Sequence, residues 1–314
     1  MTIRARLFDA DGADTVYDIL AEGLVDGDER RLVWIDVDTR STADLEPLGR
    51  RILLSPKLIE RLRDRALVPS VQQYPDRVHL SVVSLEPGTD PTVVDLVAGQ
   101  DWVLTVHEGT LPAIERILDG IEGETRLGAL DAGGFLAAIV ESVMAGYYAV
   151  IDDLDKDIEA LDEAALERRP SEDVLAAIVE MRRRIGYVRR LLAPHREAFA
   201  DLERPDMALH EELGRTWPGL LARFERTMDA VDRLREALLG TYDIHMGRAG
   251  QRDSQVMKAL TILSAILLPA VVLAGLMGMN FKLAFFDSAE NFWVVIGAMV
   301  TLAVVILGVA RAKA

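Results

Sequence analysis

ALTILSAILLPAVVLAGLMGMN, residues 259–280, decides how the rest of the chain is read. Ala259 to Met279 gives 21 uncharged residues, closed by Asn280. A helix needs about 20 apolar residues to cross a bilayer core. A second uncharged run, Phe292 to Ala310, follows after a short connection. Neither run has the polar face of a surface helix, so the chain reads as a soluble body ending in a membrane hairpin. Arg248, Arg252 and Lys258 precede the first run, and Arg311 and Lys313 follow the second. Basic residues mark the cytoplasmic side. Both termini are therefore expected inside, in the cell inner (plasma) membrane, with the connecting loop outside.

Of the 51 acidic and 35 basic residues, three and five lie beyond Gln251, which leaves the first 251 residues at about −18. Such a body repels nucleic acid, which is excluded as a partner, and attracts cations. The chain has no cysteine, so disulfides, thiol catalysis and thiolate metal sites are ruled out. The five histidines are scattered without a close-spaced pair. No run has the G-x-x-x-x-G-K-[ST] pattern, and no motif sets a nucleophile or histidine beside a carboxylate. The sequence implies neither an enzyme nor a resident cofactor.

Strands are expected at residues 3–8, 31–37, 71–74, 78–85, 93–98 and 102–107, where apolar runs or alternating patterns are punctuated by Pro75-Asp76, Glu86-Pro87-Gly88 and Gly99-Gln100. Thr42–Arg65 has helical periodicity broken at Ser55-Pro56, and a further helix is expected over 111–121. From about Leu127 the pattern turns to long helices: Ala132–Glu167, which is acidic, then one running to about Asp201 that carries Arg182, Arg183, Arg184, Arg189 and Arg190. Packed antiparallel, the two would bring opposite charges together. Pro205 and Pro218 are read as a break, after which Gly219–Met279 forms one helix of roughly 90 Å at 1.5 Å per residue. The fold class is thus an α+β cytoplasmic body, a small sheet with flanking helices, followed by a very long helix and a two-helix transmembrane hairpin. The segments are 1–125 (α/β domain), 126–204 (helical hairpin), 205–258 (stalk helix), 259–279 (first span), 280–291 (external loop), 292–310 (second span) and 311–314 (tail).

Stepping back from Gly275 by fours and threes gives Val271, Leu268, Ser264, Thr261, Met257, Ser254, Gly250, Gly247 and Asp243, a heptad-like seam of small, weakly polar or flexible residues. Small and hydroxylated residues in a membrane mark helix–helix contact and equally suit the wall of a narrow wet pore. A lone hairpin cannot enclose a pore, so a pore would need several copies related by cyclic symmetry.

Gly278-Met279-Asn280, ending the first of two C-terminal spans, resembles the GMN signature of the CorA family of divalent-cation channels and transporters. The context is similar as well: Val256-Met257-Lys258-Ala259-Leu260-Thr261-Ile262 entering the span, Pro269 within it, and upstream LVWIDV and WVLTVH. The resemblance covers the whole chain, most sharply residues 254–310. It implies a homopentamer whose long helices form a funnel and then the inner ring of a pore in the lipid bilayer. It places Gly278, Met279 and Asn280 at the outer mouth, with Asn280 holding a hydrated divalent cation through its waters. It puts the hydrophobic gate at Met257 and Leu260, with Leu268 also lining, a polar ring at Ser254, and an inner acid at Asp243 as a second metal contact. Mg²⁺ gives up its waters reluctantly, and neutral amides can hydrogen-bond those waters without stripping them. A divalent ion crossing about 100 mV, negative inside, gains roughly 4.6 kcal/mol, so passive uptake needs no nucleotide.

Two departures qualify the ion. The loop after the motif carries Lys282, with Asp287 and Glu290 as its acids, where many magnesium-type members have Met-Pro-Glu-Leu. Asp287-Ser288 followed by Phe292-Trp293 is somewhat similar to the zinc transporters of ZntB type. The family's metal-sensing acid falls near Pro218-Gly219, where no acid stands, although Glu211, Glu212 and Glu225 are close. The transported ion is expected to be Mg²⁺ ahead of Zn²⁺, Co²⁺ or Ni²⁺. The alternatives are zinc transport, with or without proton coupling, and a non-conducting membrane-anchored scaffold or sensor.

Overall fold

The structure is a computed structural model of the 314-residue chain, and it describes residues 3–9, 15–16, 18, 31–121, 131–166, 172–207, 209–278 and 289–312. The chain forms two compact units, Met1–Thr241 and Tyr242–Ala314.

The first unit is built on one seven-stranded sheet. Its strands are β1 (Ile3–Asp9), β2 (Thr15–Val16), β3 (Arg31–Val37), β4 (Ser70–Gln73), β5 (Val78–Ser84), β6 (Thr92–Ala98) and β7 (Trp102–Val106), in the order β2-β1-β3-β7-β6-β5-β4. Only β3 and β7 run parallel, with Ile35 opposite Leu104. The sheet is covered on both faces, so β3, β5 and β7 are buried almost end to end. That is why they read as apolar runs rather than clean alternations.

One face packs on α1 (Thr42–Arg51) and α2 (Pro56–Leu62), with Val33, Ile35, Leu104 and Val106 meeting Leu45, Leu48 and Leu58. Ser41 and Ser55 cap these two helices, accepting from the N–H groups of Ala43 and Leu58. The break at Ser55-Pro56 falls as expected, with Pro56 starting α2. The other face meets α3 (Pro112–Ile121) and α4 (Ala132–Leu166), where Phe135 sits edge-on to Trp34 at 5.3 Å between ring centroids. Helix α4 is long and apolar enough to cross a membrane, but most of that stretch is buried in this unit, so it is a core helix. Beyond it pack α5 (Glu172–Leu192) and α6 (His195–Asp201). The acidic and basic helices do meet: Arg184 of α5 pairs with Asp157 of α4 at 2.7 Å. Arg189 pairs instead with Asp232, and Arg183 with its own Glu180.

The last long helix, α7, runs from His210 to Gly278, 69 residues without interruption. Of the break expected between Pro205 and Pro218, the part before His210 is present, and from His210 the helix continues through Pro218. Leu213, Trp217, Leu220 and Phe224 form a buried stripe, and the Trp217 indole donates to the Phe199 carbonyl at 2.8 Å. Pro218 itself lies on the exposed side. The carbonyl it strands faces water, so the usual cost of an interior proline is outweighed by burial of the aromatic stripe. Helix α8 (Ala289–Ala312) completes the chain's second unit.

Candidate functional site

The second unit comprises the end of α7 and α8. Between Gly219 and Gly278 the only proline is Pro269, and leucine and alanine are the commonest residues, so continuous helix is the locally preferred state. An apolar window of α7 is long enough to span a bilayer and none of it is buried within the chain; α8 carries the shorter apolar stretch Trp293–Val309.

Two faces of α7 can be told apart. Ile266, Pro269 and Ala270 share an apolar crevice with Met299, Val300, Leu302 and Ala303 of α8, and Ile262 is likewise half-buried. At 100° per residue these α7 positions fall within about 60° of Ile266. Met257, Thr261, Ser264, Leu268 and Val271 fall about 140–220° away on the same wheel, with Leu260 at about 120°. The seam therefore lies on the side of α7 opposite its α8 contact. Its large side chains are open: Met257 is 60% exposed, Leu260 54%, Leu268 69% and Val271 67%. Ser254, Thr261 and Ser264 are exposed too. The Thr261 hydroxyl donates to the Met257 carbonyl at 2.8 Å, so its donor is spent within its own helix.

Charge divides by face as well. Asp243 and Asp253 fall on the seam side of α7, while Arg248 and Arg252 fall on the α8 side, within about 40° of Ile266. All four are exposed. Gly278 is the last residue of α7 and Glu290 lies exposed in the first turn of α8. Met279, Asn280, Lys282 and Asp287 lie outside the described residues. Near the expected position of the metal-sensing acid, Glu211 is exposed and Glu225 is engaged by Arg196 at 2.8 and 2.5 Å. Among the described residues no group of three or more His, Asp and Glu side chains is arranged to hold a metal ion.

The first unit contains three buried polar groupings that the sequence pattern did not reveal. Asp95 accepts from Arg40 at 2.5 Å and lies 2.7 Å from His79 Nε2. Arg40 also reaches the carbonyls of Leu62, Asp64, Val93 and Val106, so it ties the end of α2 to the sheet. Burial pushes the Asp95 pKa up, but His79 and Arg40 outweigh it and hold the carboxyl below the ordinary carboxylate value. On the opposite face Asp36 accepts from Thr105 at 2.5 Å and Arg4 at 2.9 Å, beside His107 at 3.1 Å. There too burial raises the pKa, and His107, Thr105 and Arg4 bring it below the usual range. The third grouping joins His195, Tyr147 and Val83. The one signal in the strands is a charged or polar residue inside an otherwise apolar run, as with Asp36 in RLVWIDV and His79 in VHLSVVS. The contacts of all three lie within the unit, and their chemistry is that of a scaffold, although among the described residues Nδ1 of His79 and Nδ1 of His107 are buried without a hydrogen-bond partner.

Comparison with known proteins agrees with this architecture. The family described as CorA-like Mg2+ transporter protein matches residues 29–309. The cobalt/magnesium transport protein CorA of Methanocaldococcus jannaschii is 23% identical over 290 residues, 90% of this chain and 91% of that protein. The CorA of Thermotoga maritima is 27% identical over 150 residues, 47% of this chain and 42% of that protein. The solved structure of the complete M. jannaschii CorA magnesium transporter superposes with a TM-score of 0.76 at 21% identity, covering 100% of this chain and 99% of that one. The full-length CmaX structure gives 0.72 at 20% identity over 98% and 97%. A family match over nearly the whole length, carried by the sheet, the long helix and the C-terminal apolar pair together, shows that this chain belongs to the CorA-like Mg²⁺ transporter family.

Proposed function

We propose that this protein is a passive divalent-cation transporter, working as a homopentamer with α7 as the inner helix of the pore and α8 outside it. The observation that carries the reading is the division of α7 into two faces. The side with Ile262, Ile266, Pro269 and Ala270 is spent on α8, while the polar and small seam opposite is left open in the single chain. Five such seams around a common axis would form a pore wall. Both termini lie in the cytoplasm, following the flanking basic residues.

In this reading the amides of Asn280, beside Gly278 and Met279, hold the waters of an incoming hexahydrated ion. Val271, Leu268, Ser264 and Thr261 line the descent, Met257 and Leu260 close it by dewetting, and Ser254 and Asp243 receive the ion at the inner end. The cargo is Mg²⁺, with Co²⁺ and Ni²⁺ also carried, driven by the membrane potential. The zinc reading rests on Lys282, Asp287 and Phe292-Trp293 in and after the loop, with Asp287 and Glu290 as the two acids available to balance Lys282.

The test is metal uptake into proteoliposomes, comparing Mg²⁺ with Zn²⁺, each with and without a proton gradient. Potential-driven Mg²⁺ uptake that is indifferent to the proton gradient is the expected result. Zinc uptake that requires the gradient would replace this reading with the zinc one. Asn280→Ala is expected to abolish uptake while the oligomer persists on size exclusion; normal uptake by that variant overturns the pore-mouth assignment.

A further inference from the structure

We infer that the α8-facing side of α7, just below the membrane, is a docking surface for anionic phospholipid headgroups of the inner leaflet. This rests on the membrane placement proposed above. Arg248, Arg252 and Lys258 are exposed, and among the described residues none of them has a hydrogen-bond or ion-pair partner. On the wheel set by Ile266 they fall at about 0°, 40° and −80°, whereas Asp243 and Asp253 fall at about −140° and 140°. The cations thus continue, below the membrane, the face that holds Ile262 and Ile266 within it, and the carboxylates continue the seam.

Helix α8 ends before the part of this surface that carries Arg252 and Arg248. Ile266, Pro269 and Ala270 are level with Met299 to Ala303, so in the antiparallel hairpin Ala312, the last residue of α8, comes level with about residue 257. Arg252 and Arg248 lie past that point. Lys258 adjoins Ala259, the first residue of the uncharged run. Arg252 is about 10 Å further down and Arg248 about 16 Å. The headgroup layer is roughly 5–8 Å deep, and long basic side chains extend their charge toward it. Lys258 and Arg252 therefore reach lipid phosphates directly, and Arg248 acts within about one Debye length of them. Charge complementarity selects the occupant. The first 251 residues carry about −18 and repel an anionic surface, so the cations of this face are what draws lipid phosphate to the helix. Each basic group near such a surface raises affinity about fivefold.

The full-length protein is first reconstituted into phosphatidylcholine vesicles and floated. It is then titrated in neutral detergent with tail-labelled phosphatidylglycerol and phosphatidylcholine. Phosphatidylglycerol is expected to bind at least about tenfold more tightly, and Arg252→Gln/Lys258→Gln to bring the ratio within about threefold. Arg235→Gln, an exposed arginine of the first unit, is expected to leave the ratio unchanged. Equal binding of the two lipids, or a full preference in the double variant, overturns the proposal. Complete displacement of the labelled lipid by millimolar inorganic phosphate also overturns it, by identifying a free-phosphate site. A protein that floats but shows no preference fails only this inference, whereas one that never floats fails the membrane placement itself.

Discussion

The backbone N–H of Val83 donates to Nε2 of His195 across 3.0 Å. β4 pairs with β5 only from Ser81 to Val78, so Val83 lies past the end of β4 on the open edge of the sheet. The Tyr147 hydroxyl donates to the Val83 carbonyl at 2.5 Å, and Nδ1 of His195 lies 3.0 Å from the Leu192 carbonyl, to which it donates. Two side chains from the helical layer therefore replace the missing strand, satisfying groups that would be costly to bury unpaired.

This arrangement needs a neutral imidazole, because protonated Nε2 would face the Val83 N–H donor to donor. Burial lowers the His195 pKa from 6.5 to about 4, against backbone hydrogen bonds that raise it. The unfolded chain takes up this proton as pH falls through 6.5 and the folded chain only near 4. Stability is therefore complete above about pH 6.5 and falls by about 3 kcal/mol on the way to pH 4. Thermal melts of the detergent-solubilised protein across that range check this. His195→Gln is expected to flatten the slope, and an unchanged slope would assign the loss to other groups.

Removing the Asp95 charge leaves Arg40 buried without its carboxylate. Asp95→Asn is expected to cost about 3–5 kcal/mol, read as a lower Tm at neutral pH. Because the Asp95 pKa is held below its ordinary value, the pair contributes fully above that ordinary value. Its contribution vanishes as pH falls through the folded pKa. A Tm equal to the parent's at pH 7 would show that the four carbonyls around Arg40 suffice.

At Gly146, α4 passes close against the backbone just after β5. A methyl group there would overlap the Leu85 carbonyl and come within 2.8 Å of the Glu86 carboxylate. Backbone cannot give way as a flexible side chain can. Gly146→Ala is expected to destabilise by about 1–3 kcal/mol although alanine is the better helix former. A stabilised variant in the same melts would refute the close approach.

On the seam, Thr261 and Met257 should respond differently. The Thr261 hydroxyl is committed to the Met257 carbonyl, so Thr261→Val is expected to keep Mg²⁺ flux within about threefold of the parent. Met257→Gly removes the largest flexible group of the proposed constriction and is expected to raise ion leak in proteoliposomes. Unchanged leak in Met257→Gly would move the gate elsewhere on the helix.

How legible each part was follows from the range of the interactions that form it. The spans, the long helix and the starts of α1 and α2 follow from local chemistry: uncharged length and a serine cap before each short helix. Pro218 misled because its cost is local, whereas the burial of Trp217 against Phe199 that offsets it joins residues 18 apart. Asp36, Asp95, His79 and His107 were invisible as pairs because their partners come from other strands. Only the strand order β3-β7-β6-β5 brings them together.

The candidate site divides in the same way. The sequence by itself determined that α7 carries a stripe of small and hydroxylated residues, since a stripe follows from spacing along one helix. It also determined that cations flank the apolar run. Which way the stripe points depends on where α8 docks, a contact between Ile266 and the residues around Met299 that no local pattern encodes. Tertiary packing decided that the crevice takes the face of Ile266, and so left Ser264 and Leu268 open on the other side.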